Sequence, residues 1–182
     1  DVYVTGTFRS TCDFDPGSGV ESYSSNGSYD IYLSKFNQIG EFQWARAWGG
    51  ADWDGGSEVA ADGVGGVFVT GMFMMNADFD PGSGVDQHSS NGMRDAFLSK
   101  FNVAGEFQWA GTWGGTADDE GFGVDTDSSG NVYCAGAFRM SDIDFDPGAG
   151  SDLHSSNGLK DASLSKFDTF GAFQWVRTWG DS

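Results

Sequence analysis

Short runs of alternating apolar and polar residues mark the chain from its start. In Val2 to Phe8, Val2, Val4, Gly6 and Phe8 fall on one side of an extended backbone and Tyr3, Thr5 and Thr7 on the other, which predicts a β-strand. Ile31 to Phe36 sets Ile31, Leu33 and Lys35 against Tyr32, Ser34 and Phe36. Phe42 to Trp48 sets Phe42, Trp44 and Trp48 against Gln43, Ala45 and Ala47, a strand with one bulky and one small face. Weaker patterns at Gly56 to Ala61 and Gly121 to Thr126 predict strands followed by hairpin tips at Asp62 to Gly66 and Asp127 to Asn131. Polar turns at Asn37 to Gly40, Asn102 to Gly105 and Asp168 to Gly171 separate the later strands.

These patterns recur. Val2-Tyr3-Val4-Thr5-Gly6 returns as Val67-Phe68-Val69-Thr70-Gly71 and, after the same interval, as Val132-Tyr133-Cys134-Ala135-Gly136. Phe14-Asp15-Pro16-Gly17, Ser25-Asn26-Gly27, Leu33-Ser34-Lys35-Phe36 and Phe42-Gln43-Trp44 each have two later counterparts in the same order. The third copy gains one residue between Arg139 and Asp144 with both flanks kept, the mark of a surface loop.

Each period predicts four short antiparallel strands, and apolar residues on both faces of the second and fourth imply a sheet covered on both sides by its neighbours. The expected fold class is all-β: tandem four-stranded sheets arranged as β-propeller blades. A solenoid competes poorly, because its rungs are shorter. A sandwich would not copy whole four-strand units. The expected boundaries are residues 1–50, 51–115 and 116–182, the first blade lacking its first strand. Three blades leave open apolar sides, so the reading expects either further blades of a longer chain or self-association.

Composition agrees with this and narrows the partners. Of 182 residues 29 are Gly and only three Pro, and aromatics make up 15%, which excludes disorder and disfavours helices. Asp and Glu total 27 against nine Lys and Arg, a formal charge of -18. That field repels nucleic acid and anionic membranes and suits a cationic partner or a divalent metal. No apolar run is long enough to span a membrane, and no signal segment opens the sequence, which begins inside a strand pattern and reads as a segment of something longer.

Asp-Ala-Phe-Leu-Ser-Lys-Phe at 95–101, Gly-Glu-Phe-Gln-Trp-Ala at 105–110, Trp-Gly-Gly at 113–115 and Val-Asp-Thr-Asp-Ser-Ser-Gly-Asn-Val-Tyr at 124–133 resemble the bacterial SBBP-type β-propeller repeat over essentially the whole chain. The variant here carries an Asp-Phe-Asp-Pro-Gly insertion between the second and third strands. The resemblance implies an exported or cell-surface bacterial protein, a scaffold or binding surface more than an enzyme, and no catalytic residues.

The insertion holds the candidate chemistry. Asp13 and Asp15, Asp78 and Asp80, and Asp144 and Asp146 flank a Phe before Pro-Gly in each copy. Carboxylates two apart on an extended backbone, with carbonyls turned back by Pro-Gly, are hard oxygen ligands that suit Ca²⁺. The same residues equally describe an Asp-capped turn with the Phe as a plug over the sheet. Asp30, Asp95 and Asp161, just before the third strand, stand ready either to complete the metal site or to satisfy loop N–H groups. A second acidic group, Asp52, Asp54, Glu58 and Asp62, with Asp118, Asp119, Glu120, Asp125 and Asp127, surrounds the first strand and lacks a complete calcium-loop spacing.

Other recurring residues have plainer uses. Lys35, Lys100 and Lys166 are expected to lay their stems beside aromatics and neutralise a neighbouring carboxylate. Arg46 and Arg177 share a strand position that Gly111 occupies in the middle copy, so the site tolerates loss and is expected to be peripheral. The Trp residues at 44, 109 and 175 and at 48, 113 and 179 are stacking platforms for glycans if exposed and inter-blade core if buried. His88 and His154 have no second ligand nearby for zinc. Cys12 and Cys134 occupy unlike positions, which argues against a disulfide. The expected function is a non-catalytic structural or adhesive repeat protein, with filament assembly and calcium-stiffened loops. The alternative is a propeller module of a larger secreted enzyme or receptor, with catalysis in the blades a distant third.

Overall fold

A computed structural model describes residues 1–181. It contains fifteen β-strands and no helix among the described residues. The first unit contains β1 (Val2–Phe8), β2 (Thr11–Asp13), β3 (Ser22–Ser24), β4 (Asp30–Phe36) and β5 (Phe42–Gly50). The second contains β6 (Gly55–Ala61), β7 (Gly66–Asp78), β8 (Gln87–Asn102) and β9 (Phe107–Trp113). The third contains β10 (Glu120–Thr126), β11 (Val132–Phe138), β12 (Ile143–Asp144), β13 (Leu153–His154), β14 (Asp161–Phe167) and β15 (Phe173–Trp179).

Equivalent strands pair in equivalent register, as the repeat requires. Val2 sits opposite Phe36, Val67 opposite Phe101 and Val132 opposite Phe167. The order in the second unit is β6-β7-β8-β9 and in the third β10-β11-β14-β15, all antiparallel. Register slips by one after the repeated lysine in every copy, between Lys35 and Phe36, Lys100 and Phe101, and Lys166 and Phe167. The turns that follow are closed locally: Asn37 Oδ1 accepts the N–H of Ile39 and Glu41, and Asn102 and Asp168 do the same for their own loops. Each such turn ends on a glycine at positive φ, 82° at Gly40, 75° at Gly105 and 84° at Gly171, a conformation in which a Cβ is strained.

Two features depart from the sequence-based expectation. The insertions are not plain loops but two-stranded ribbons, β2 with β3 and β12 with β13. In the second unit β7 and β8 extend into the ribbon, the register shifting between Met74 and Asn76 before Asn76 to Asp78 pair with Ser89 to Gln87. The first two units are also not separate sheets. Gly49 and Gly50 at the end of β5 pair with Asp78 and Ala77, so β1-β4-β5-β7-β8-β9 are hydrogen-bonded in series, with β6 joined to β7 off that path, while the third unit keeps its own four.

The core lies between units. Ile31, Leu33 and Trp48 of the first meet Val67, Val69, Phe73, Phe97 and Phe101 of the second. Ala96, Leu98 and Trp113 of the second meet Val132, Cys134, Phe138 and Phe167 of the third. One face grammar is used twice: an aliphatic and Trp face on one unit, a Val and Phe face on the next. At roughly 25 cal/mol per Å² of apolar surface removed from water, these aromatics dominate the packing.

Candidate functional site

Each Asp-Phe-Asp-Pro-Gly segment forms the tip of its insertion ribbon. Asp13 Oδ1 accepts the backbone N–H of Asp15 at 3.1 Å and of Glu21 at 2.9 Å, and Asp15 Oδ1 accepts that of Gly17 at 2.7 Å. The pattern repeats at Asp78 and Asp80 and at Asp144 and Asp146, with distances between 2.7 and 3.1 Å. Burial opposes the charge on Asp144, but N–H groups of Asp152 and Asp146 outweigh it and hold the carboxyl below its ordinary value. The carboxylates thus close their own turns. Between them the Phe points at the sheet: Phe79 and Phe145 are fully buried, and Phe79 stands edge-on to Phe73 at 5.2 Å.

As a calcium shell this set is thin. Every loop brings two carboxylates, each with one oxygen already engaged. Among the described residues no group of three or more His, Cys, Asp or Glu side chains gathers as a metal centre would need. A shell of six to eight oxygens would rest on carbonyls and water. Asp30, Asp95 and Asp161 do not turn toward the loop carboxylates. Their Oδ2 atoms accept the N–H of Asn26, Asn91 and Asn157 at 2.9 to 3.0 Å, and they are buried at 1%, 1% and 2% exposure.

Asp30 and Asp95 face a second buried carboxylate that the sequence reading placed in a different group. Asp54 and Asp119, 0% and 1% exposed, cross the junction from the start of the next unit. Both have their charged form pushed toward neutrality by burial, Asp54 to about 6. The signal available in the sequence was their matching place beyond Trp48-Gly49-Gly50 and Trp113-Gly114-Gly115.

Lys35, Lys100 and Arg46 clasp adjacent units, while Lys166 lies over Tyr133 of its own unit. Lys100 lies over the Phe68 ring at 5.2 Å and donates to the Thr169 carbonyl at 2.8 Å, in the turn of the third unit. Lys35 lies over Tyr3 at 5.7 Å and donates to the Val103 carbonyl at 3.1 Å, besides pairing with Asp1 at 3.0 Å. The expected carboxylate partner is therefore joined, and at Lys100 replaced, by a carbonyl of the next unit. Arg46 is not peripheral: its Nε donates to the Gly105 carbonyl at 2.9 Å, while Trp44 Nε1 donates to Val103 at 3.2 Å. Gly111, at the equivalent place, leaves room that Pro147 fills.

His88 and His154 brace the plugs. Their Nδ1 atoms lie 2.9 and 2.8 Å from Thr112 and Thr178 Oγ1, and the His88 ring stands edge-on to Phe79. Both cysteines are free. Cys134 is buried with its thiol pushed up to about 12 by desolvation, 3.1 Å from Thr70 Oγ1.

No protein-family model matches the chain. It is similar to an uncharacterized WD repeat-containing protein, L264, of Acanthamoeba polyphaga mimivirus, 25% identical over 176 residues covering 91% of this chain and 13% of that protein. It is also similar to the regulatory protein FlaEY of Caulobacter vibrioides, 28% identical over 158 residues covering 86% of this chain and 16% of that protein. The chain spans less than a fifth of the length of either relative.

Proposed function

We propose that the three units are β-propeller blades forming a non-catalytic scaffold or adhesive surface, and that their outer faces pack on further blades of the same kind. One contrast carries this reading. Trp48 and Trp113 are 2% and 5% exposed, covered by Phe101 and Phe167 of the following unit, whereas Trp179 at the same place in the third unit is 55% exposed. At the other end Val2 and Val4 are 52% and 38% exposed, while their counterparts Val67, Val69, Val132 and Cys134 are at most 1%. The free face of the first unit offers the type of surface that covers Trp113 within the chain. Similarity to a protein named for WD repeats supports the blade assignment. The recurring polar side chains close turns and clasp junctions, which supports structure over catalysis. Export to a bacterial cell surface belongs to the same proposal, on the repeat resemblance alone.

Calcium is a separable addition. The turns close without it, and loops stiffened by the ion would show a melting temperature that depends on chelator. A second reading, a blade module within a larger enzyme or receptor, draws on the far greater length of both relatives. Concentration-dependent light scattering separates the two: self-association that Trp179→Asp abolishes favours packing between copies, and a monomer at all concentrations favours the module.

A further inference from the structure

The junction carboxylates are arranged unequally. Asp119 Oδ2 accepts the Gly115 N–H at 2.6 Å and its Oδ1 the Arg139 N–H at 2.9 Å; Asp54 likewise accepts from Gly50 at 2.6 Å and Met74 at 3.0 Å. Both oxygens of this member are therefore engaged. The other member has one oxygen left over: Asp95 Oδ1 and Asp30 Oδ1 are buried and have no partner. Both carboxylates of each pair border the same glycine. The place a Cβ on Gly114 would take lies 2.6 Å from Asp95 Oδ1 and 3.0 Å from Asp119 Oδ2; at Gly49 the same point lies 3.2 Å from Asp30 Oδ1 and 2.8 Å from Asp54 Oδ2.

Among the described residues no side-chain cation is hydrogen-bonded to either pair, and the Lys160 charge that acts on Asp119 is itself paired with Glu120. At the second junction Arg94 binds Glu120 at 3.0 Å and lies 3.8 Å from Asp118, and Lys160 also binds Glu120. Arg139 presents its backbone N–H to Asp119. At the first junction the nearby charge is Asp52, another anion, and Arg9 stacks on Tyr29. Two ionised carboxylates buried together repel, and the backbone N–H groups return only part of the hydration they lose.

We propose that each junction is a proton-sharing carboxyl pair, in which Asp95 Oδ1–H donates toward Asp119 and Asp30 Oδ1–H toward Asp54, and that loss of this proton loosens adjacent units. Asp119 and Asp54 keep the charge because two N–H groups stabilise it. Burial pushes Asp95 up to about 7, with the Asp119 charge adding to it. In the first pair burial raises both members, and the proton is assigned to Asp30 because its oxygen is the one without a donor. The pair titrates as a unit. Its carboxyls lie above their value in the unfolded chain, so the native state holds the proton more firmly. The stability it brings is present in mild acid and is lost as pH rises from about 4 through about 7. Asp161 has the same orphan oxygen and Asn157 partner, ready for the carboxylate of a further unit.

The test combines carbon-13 carboxyl NMR titration of the full chain with thermal melts from pH 5 to 9 in chelator. Expected are an Asp95 carboxyl that titrates near neutrality and a wild-type melting temperature that falls toward alkaline pH. Asp95→Asn, which keeps a donor toward Asp119, should flatten that fall and melt above wild type at pH 8. Asp119→Asn, which turns an amide toward a backbone N–H, should melt lower at every pH. An Asp95 carboxyl already ionised at pH 5 overturns the proposal. So does calcium raising the pH 8 melting temperature in wild type while Asp95→Asn lowers it, since a metal would then fill the place of the proton.

Discussion

Trp113 lies against Phe167 with ring centroids 5.4 Å apart, and Trp48 stands in the same relation to Phe101 at 4.9 Å. One Trp from the edge strand of a unit is capped by one Phe from the third strand of the next. This pair, repeated, packs the face of each unit against the next.

Trp113→Ala should therefore destabilise the chain by about 3–5 kcal/mol, the range for emptying a buried aromatic site. Trp179→Ala, at the uncapped position, should change monomer stability by no more than about 0.5 kcal/mol. Urea unfolding of the two variants at low concentration checks the difference. Equal losses would place the packing elsewhere.

The insertion tips should hold their shape without metal. Melting in chelator and in millimolar calcium is expected to agree, and Asp78→Ala should lower stability by about 1 kcal/mol through the lost cap. A calcium-dependent rise in melting temperature, removed by Asp78→Asn with Asp80→Asn, would restore the ion to these loops.

The two thiols should differ sharply in reactivity. Cys134 is 1% exposed with its thiol held up at about 12, so it carries almost no thiolate at pH 8. Cys12 is half-buried in the first ribbon. Alkylation of the native chain should label Cys12 alone, with Cys134 reacting only in denaturant. Rapid labelling at Cys134 would mean that the second junction opens.

Much of the fold was legible because each strand advertises itself locally. The alternation in Val2 to Phe8 and its copies placed β1, β7 and β11 correctly, and Gly40, Gly105 and Gly171 marked real turns. The continuous β7 and β8 were not legible, since Asn76 to Asp78 look like any polar loop until their partners Gln87 to Ser89 are known. Junction chemistry was hidden for the same reason. Asp30 and Asp54 lie in different units, and their meeting depends on the stacking of sheets. Lys100 was rightly set beside an aromatic ring, but its carbonyl partner, Thr169, belongs to a turn of the neighbouring unit.

The depressed carboxyl of Asp127 runs opposite to the junction pairs. The Asn131 side chain first, against opposing desolvation, and then the N–H groups of Asn131 and Ser129 and the Tyr133 hydroxyl hold it at about 2. Its contribution to the β10–β11 turn is present above the ordinary carboxylate range and is lost as pH falls from about 4 toward 2. Amide exchange at Ser129 and Asn131 should quicken over that window, and Asp127→Ala should show the fast rates already at neutral pH. Unchanged exchange would remove the cap from the turn.

Packing between unit faces is tested most directly by light scattering of the chain over a wide concentration range, beside Trp179→Asp and Val4→Asp. Val4→Asp charges the opposite free face, so each variant spoils one half of the same contact. The wild type is expected to grow in mass with concentration and both variants to stay monomeric. A wild type of constant monomer mass, or association that neither substitution disturbs, would contradict the assignment of these faces as the surfaces on which copies of the chain pack on one another.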